Sequence, residues 1–266
     1  MNFDILKEIK DEAKRIQLLY EIFDEDSRLN RSKASRVEFL TTIKYINRYL
    51  NKNSWILDIG AGAGEYSLYF SKLGYRVDAI ELATNNINKF KNKITPDLNI
   101  NLSQGTALDL SKYKDNNFDI VLLMGPLYHL ENEADRLKAL NEALRVCKQG
   151  GIIVSTFISN DMVILTEFDY DPNFFKGDSY NHETFKVNNF PFVFDTVDDA
   201  TNLINKLDMD IINIVAQDGA SELMADKINQ LSDDDYDQYL RYHYYICEKP
   251  EFLGMSNHLM FICKKR

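Results

Sequence analysis

An acid and three glycines carry the strongest chemical signal in this chain. In WILDIGAGAGEYSLYF (residues 55–70), Asp58 sits near the end of an apolar run, and Gly60, Gly62 and Gly64 follow at alternate positions. Glycines where a strand turns into a helix let a ligand approach bare backbone beside the donor-rich start of that helix. Such a turn after the first parallel strand is where a doubly wound sheet binds a nucleotide-like cofactor. A dinucleotide site wants G-x-G-x-x-G/A, but here Glu65 takes the last small position and the third glycine comes one residue early. Asp58 is badly placed for a pyrophosphate and well placed for a cofactor bearing an ammonium and a sulfonium.

The following landmarks fit a nucleoside. Gly74 stops the first helix, and Arg76–Ile80 reads as a second strand closing on Glu81, about 20 residues beyond the glycines, where an acid accepts from both ribose hydroxyls. Ile100–Leu110 supplies a third strand with Gly105-Thr106-Ala107 in its loop. Phe118–Met124 (FDIVLLM) is a continuous apolar run, hence a buried fourth strand, leading into Gly125-Pro126-Leu127-Tyr128-His129-Leu130.

The pattern D-x-G-x-G-x-G resembles the first motif of the class I S-adenosylmethionine-dependent methyltransferases. That resemblance implies S-adenosyl-L-methionine as cofactor, with Asp58, Gly60, Ala61, Gly62 and Gly64 forming its turn. It places Glu81 on the ribose, Leu82 against the adenine face, and Met124 and Gly125 where the methyl group emerges. Members often carry Gly-Asp-Ala where this chain has Gly105-Thr106-Ala107. Thr106 replaces the acid that would accept from the adenine amino group and keeps one hydroxyl for that contact. The GPLYHL string resembles a bacterial branch of small-molecule methyltransferases in which an Asp-Arg pair follows, here Asp135-Arg136.

These residues need a scaffold. The expected fold is α/β, a Rossmann-like doubly wound sheet of seven mostly parallel strands. Helix Glu133–Cys147 and strand Ile152–Phe157 follow the fourth strand. Met209–Ala216 and His258–Lys264 make strands six and seven, separated by helical segments near 221–231 and 236–247, and the resemblance implies that the last strand runs antiparallel. The chain is expected to be one domain: an N-terminal helical lid (1–50), a cofactor-binding core (51–158), a substrate cap (159–207) and a C-terminal part completing the sheet (208–266). Within the lid, Asp4–Phe23 and Ser32–Tyr49 read as helices joined by DEDSRLNRS, and Arg31, Lys33 or Arg36 are candidates for the cofactor's carboxylate. The cap segment interleaves aromatics such as Phe168, Phe174, Tyr180 and Phe192 with polar residues, which suits a substrate with an apolar body.

Composition narrows the acceptor. The chain has 266 residues, 41 acids against 31 Lys and Arg, and a net charge of −10. Twelve acids and two bases fall between residues 195 and 240. A nucleic-acid modifier would show a basic stripe, so no nucleic-acid partner is expected, and a neutral or cationic small molecule is favoured as methyl acceptor. No apolar run spans a bilayer, and the polar N-terminus does not read as a signal peptide, so a cytoplasmic protein without a membrane partner is expected. Cys147, Cys247 and Cys263 lack ligand spacing, no metal is expected, and buried reduced thiols are the reading.

Because a sulfonium methyl is already activated, the enzyme mainly aligns a nucleophile and excludes water. His129 is the candidate for proton removal or substrate orientation, and Tyr128 the second, as donor or aromatic wall. His182, His243 and His258 show no sequence companion. The expected activity is methyl transfer to a small molecule. Alternatives are an RNA or protein methyltransferase, a non-enzymatic S-adenosylmethionine-binding protein and, more distantly, a nicotinamide oxidoreductase.

Overall fold

A computed structural model describes residues 4–23 and 25–266, with the side chains of residues 4 and 5 excepted, so residues 1–3 of the polar N-terminus and Asp24 of the expected linker lie outside it. The chain opens with four helices, α1 (Asp4–Lys7), α2 (Glu12–Ile22), α3 (Glu25–Arg28) and α4 (Lys33–Ile46). The single helix expected over 4–23 is therefore two. Asp11 starts the second by accepting from the Lys14 backbone N–H at 3.0 Å, which satisfies one of the orphan donors at a helix start.

The cofactor-side half then alternates strand and helix: β1 (Trp55–Ile59), α5 (Glu65–Lys72), β2 (Arg76–Glu81), α6 (Thr84–Lys93), β3 (Ile100–Gln104), β4 (Phe118–Leu123), α7 (Glu133–Val146) and β5 (Cys147–Ser159). The remainder is α8 (Asn160–Tyr170), β6 (Phe194–Asp195), α9 (Val197–Ile204), β7 (Met209–Ala216), α10 (Ala225–Ile228), α11 (Asp233–Ile246), α12 (Pro250–Leu253) and β8 (His258–Lys265). The sheet order is β3-β2-β1-β4-β5-β8-β7, with two-residue β6 pairing alongside β5. β8 is antiparallel to both neighbours, inserted between β5 and β7 as expected. The eighth strand, β6, was not expected, since a two-residue pairing leaves no periodicity to read.

Ile56, Leu57, Val121, Leu122, Ile153 and Val154 on the three central strands are fully buried, which is why these strands read as apolar runs rather than alternating ones. The order reverses between β1 and β4, so helices leave the sheet to opposite sides there and open a crevice at the strands' carboxyl ends. Asp58, Glu81 and Met124 stand on that edge. Cys147, Cys247 and Cys263 are buried free thiols. Among the described residues no helix is long and apolar enough to cross a membrane.

Candidate functional site

The glycine turn is built by backbone geometry that side chains would spoil. Gly60, Gly62 and Gly64 all have positive φ (72°, 56° and 90°), where L-residues are strained. Gly64 is the N-cap of α5, and a Cβ there would lie 2.2 Å from the Phe90 ring. At Gly60 it would meet Pro126 of the loop after β4 at 2.8 Å. The turn is anchored by Gly60 and Ala61 backbone N–H groups donating to the Ile80 carbonyl at 2.8 and 3.0 Å.

Around this turn lies a cavity walled by Asp58, Gly60, Ala61, Gly62, Glu81, Leu82, Thr106, Ala107, Met124, Gly125, Tyr128 and His129, among others. The cofactor candidates of the strand ends and their loops are thus brought to one place except Gly64, which packs behind the turn on Phe90. Glu81 accepts from the Gly62 N–H and the Ala83 N–H, both at 2.8 Å, one through each carboxylate oxygen. A carboxylate has about four acceptor directions, so capacity remains for two hydroxyls. Asp58 accepts from the Ser67 hydroxyl at 2.7 Å. Burial pushes its pKa up to about 6, Ser67 opposes the rise, and neighbouring Glu81 adds to it. Glu81 is also held above the usual carboxylate range, by burial. Two buried acids repelling each other favour a ligand that brings positive charge and hydroxyl donors. The donor set therefore fits a cationic nucleoside.

The N-terminal segment closes this cavity. Tyr20, Glu25, Arg28 and Leu29 line it, with Glu25 laid against Gly62. None of Arg31, Lys33 and Arg36 is on its wall. Lys33 bonds Asp233 and the Leu231 carbonyl, Arg36 bonds Asn30, and Arg31 faces a second cavity. Arg28 is the arginine on that wall, with its nitrogens bonded to Glu25 and Glu38. It was missed because its spacing in the polar linker gives no helical signal.

His129 follows a single 3₁₀ turn, Pro126–Tyr128, and its Nε2 pairs with the Tyr20 hydroxyl at 2.8 Å. Burial, reinforced by the Arg15 charge, drives its pKa down to about 3. His129 is thus a neutral, tethered ring, oriented for contact but weak as a base. The Tyr128 hydroxyl donates to the Met124 carbonyl at 3.3 Å, and burial holds it protonated.

A larger cavity of about 980 Å³ adjoins the first, sharing Tyr20, Glu25, Arg28 and Tyr128 with it. Phe174, Phe190, Phe192 and Phe194 from residues 159–207 line it, alongside Glu38 of α4 and Asp218, Glu222, Asn257 and His258 from the C-terminal part. Arg136 of the Asp-Arg pair fixes this region by a buried bidentate pair with Asp195 of β6 (3.1 and 2.6 Å).

His258, without a companion in the sequence, has several in the fold. Its Nδ1 donates to Asp218 Oδ2 at 2.7 Å and lies 3.6 Å from Glu38 Oε2, while Ser256 donates to Asp218 Oδ1 at 2.5 Å. Arg28 grips Glu38 with two hydrogen bonds, at 2.5 and 3.0 Å. Burial opposes the imidazolium, but the Glu38 and Asp218 charges prevail and raise its pKa to about 9. Glu38, Asp218 and His258 place ligand-capable atoms within 4.8 Å of one another, a cluster that sequence spacing could not show. With Arg28 on one carboxylate and the imidazolium proton on the other, it is an ion-pair network and we do not assign it to a metal.

Comparison with known proteins agrees with this geometry. Residues 57–155 match the model of a methyltransferase domain. A probable methyltransferase of Aspergillus luteorubrus is 32% identical over 117 residues, 40% of this chain and 41% of that protein. Demethylmenaquinone methyltransferase of Staphylococcus aureus is 32% identical over 108 residues, 40% of this chain and 43% of that one. The chain thus matches about two-fifths of the length of these relatives. A solved S-adenosylmethionine-dependent methyltransferase of Methanosarcina mazei, 19% identical, superposes with a TM-score of 0.55 over 83% of this chain and 96% of that one.

Proposed function

We propose that the chain transfers a methyl group from S-adenosylmethionine to a small molecule, since residues 57–155 match the model of a methyltransferase domain and the fold is similar to that of a solved S-adenosylmethionine-dependent methyltransferase. The observation that carries the reading is the pairing of two adjoining cavities, one lined by the glycine turn with Asp58 and Glu81, the other large and rich in aromatics.

S-adenosylmethionine, when bound, supplies a methyl group already activated on a sulfonium sulfur. The chain's own residues do the rest. Glu81 receives hydroxyls, Asp58 and Glu25 favour positive charge, and Leu82, Thr106 and Ala107 wall the base, while Arg28 is the cation available to a carboxylate. Met124, Gly125 and His129 line the cofactor cavity, and Tyr128 lines both cavities. There Tyr128, edge-on to Phe192 (ring centroids 5.9 Å apart), and His129, tilted against it (5.3 Å), orient the acceptor and keep water out. His129 acts by position, since a ring so hard to protonate gains little by taking a proton. Residues 1–50 serve as a lid and residues 159–207 as the acceptor's cap.

The acid-lined second cavity suits a neutral or cationic acceptor and not a polyanion. The test is incubation with methyl-labelled S-adenosylmethionine and a cell extract, fractionated by size. Label in the low-mass fraction is expected. Label confined to RNA or protein contradicts the small-molecule assignment.

A further inference from the structure

We propose that the larger cavity is an amine site, in which an ammonium group is held by Asp218, Asn257 and Glu222 and gives its proton to His258 before accepting the methyl. The inference rests on the methyltransferase reading above and adds the acceptor's chemical class and a proton acceptor.

Charge balance comes first. The cavity is lined by Glu25, Glu38, Glu167, Asp178, Asp218 and Glu222 against Lys7, Arg28 and Arg31. Counting only these, the wall stays negative even with His258 protonated, so a carboxylate is repelled and a cation is drawn in. Aromatic rings at Phe174, Phe190 and Phe192 add quadrupolar attraction for a cation entering among them.

Hydrogen-bond capacity is a second and independent reason. Asn257 is 4% exposed, lines the cavity, and its Oδ1 has no hydrogen-bond partner among the described residues. Its Nδ2 is committed to Glu222, so the side chain is fixed with an acceptor left over. A buried unpartnered acceptor is costly and calls for a donor. An ammonium brings three donors and no acceptor. A carboxylate, which brings none, leaves Asn257 unsatisfied.

The proton's destination follows from His258. Its Nδ1 is occupied by Asp218, which fixes the ring through a carboxylate itself braced by Ser256 and by the His258 backbone N–H at 3.1 Å. Nε2 has no partner among the described residues, and the residue lines the cavity. This is the carboxylate–imidazole arrangement that presents the second nitrogen to a substrate. The charged and titratable groups facing the pair are Glu38 of α4, Arg28 of α3, and Tyr239 and His243 of α11 on the Asp218 side. In the free protein the imidazolium balances Asp218 and Glu38. A second cation among the same carboxylates expels that proton to solvent. The ammonium's N–H bond then breaks as an Nε2–H bond forms, and the electron pair left on nitrogen is free to take the methyl.

Calorimetry of the full chain tests this in two stages. S-adenosylhomocysteine is titrated first, and then the loaded protein receives phenethylamine, 3-phenylpropionate or 2-phenylethanol, in buffers of differing ionisation enthalpy at pH 7.5. The amine is expected to bind about tenfold tighter than the acid or the alcohol and to release about one proton. His258→Gln abolishes the release, and Asn257→Ala weakens the amine alone. If S-adenosylhomocysteine binds but the acid or alcohol matches the amine, or no proton is released, the amine site is overturned while the cofactor reading stands. If S-adenosylhomocysteine itself fails to bind, both fall together.

Discussion

Asp58 and Gly64 show how single residues set the site's limits. Asp58 is kept partly protonated near pH 6 by burial, and a cationic ligand rewards its ionised form. Affinity for S-adenosylmethionine should therefore rise as pH passes from 5 to 7 and level off above, a trend that Asp58→Asn flattens. Calorimetric titrations across that range check it. Gly64→Ala places a methyl group 2.2 Å from Phe90 at a φ of 90°, two penalties that together cost on the order of 3 kcal/mol, read as a lowered denaturant midpoint. Tyr20→Phe removes the hydroxyl paired with His129 and leaves a buried ring nitrogen unpaired. A loss of about 1–3 kcal/mol is expected, with weakened cofactor binding, because Tyr20 also lines that cavity.

The elements that position the site were legible in the sequence to different degrees. β1, β2 and β4 are buried on both faces, so their apolar runs announced themselves, and with them Asp58, Glu81 and Met124 near their carboxyl ends. The same rule explains the antiparallel β8, whose apolar LMFIC run had to enter the sheet interior. β6 and the break between α1 and α2 were hidden, because two-residue pairings and short helices carry no period. Arg28, Glu38, Asp218 and His258 were hidden for another reason. They come from α3, α4 and the two ends of the β7–β8 connection, up to 230 residues apart, and only the assembled sheet brings them together. Arg28 is the element-scale hinge of this network, since it joins α3 to α4 and lines both cavities. Arg28→Met should cost about 3–5 kcal/mol by leaving Glu38 buried without its partner, a loss that thermal unfolding would show.

At the scale of the whole molecule, acidity and a shared network tie folding to the pocket. His258 is raised from 6.5 to about 9 in the folded chain, so its contribution is fully present below about pH 6.5 and lost as pH rises through 9. Stability of the ligand-free protein should decline over that window, and His258→Gln should remove much of the slope. The cofactor pocket depends on the anion-tipped strand and its glycine turn, the proposed seat of S-adenosylmethionine. The most direct measurement is calorimetric binding of S-adenosylhomocysteine to the pure protein, with Glu81→Gln and a nicotinamide dinucleotide as comparisons. One-to-one binding that the substitution weakens at least about tenfold, with no uptake of the dinucleotide, is predicted. Binding of the dinucleotide instead, or affinity indifferent to Glu81, would contradict the account.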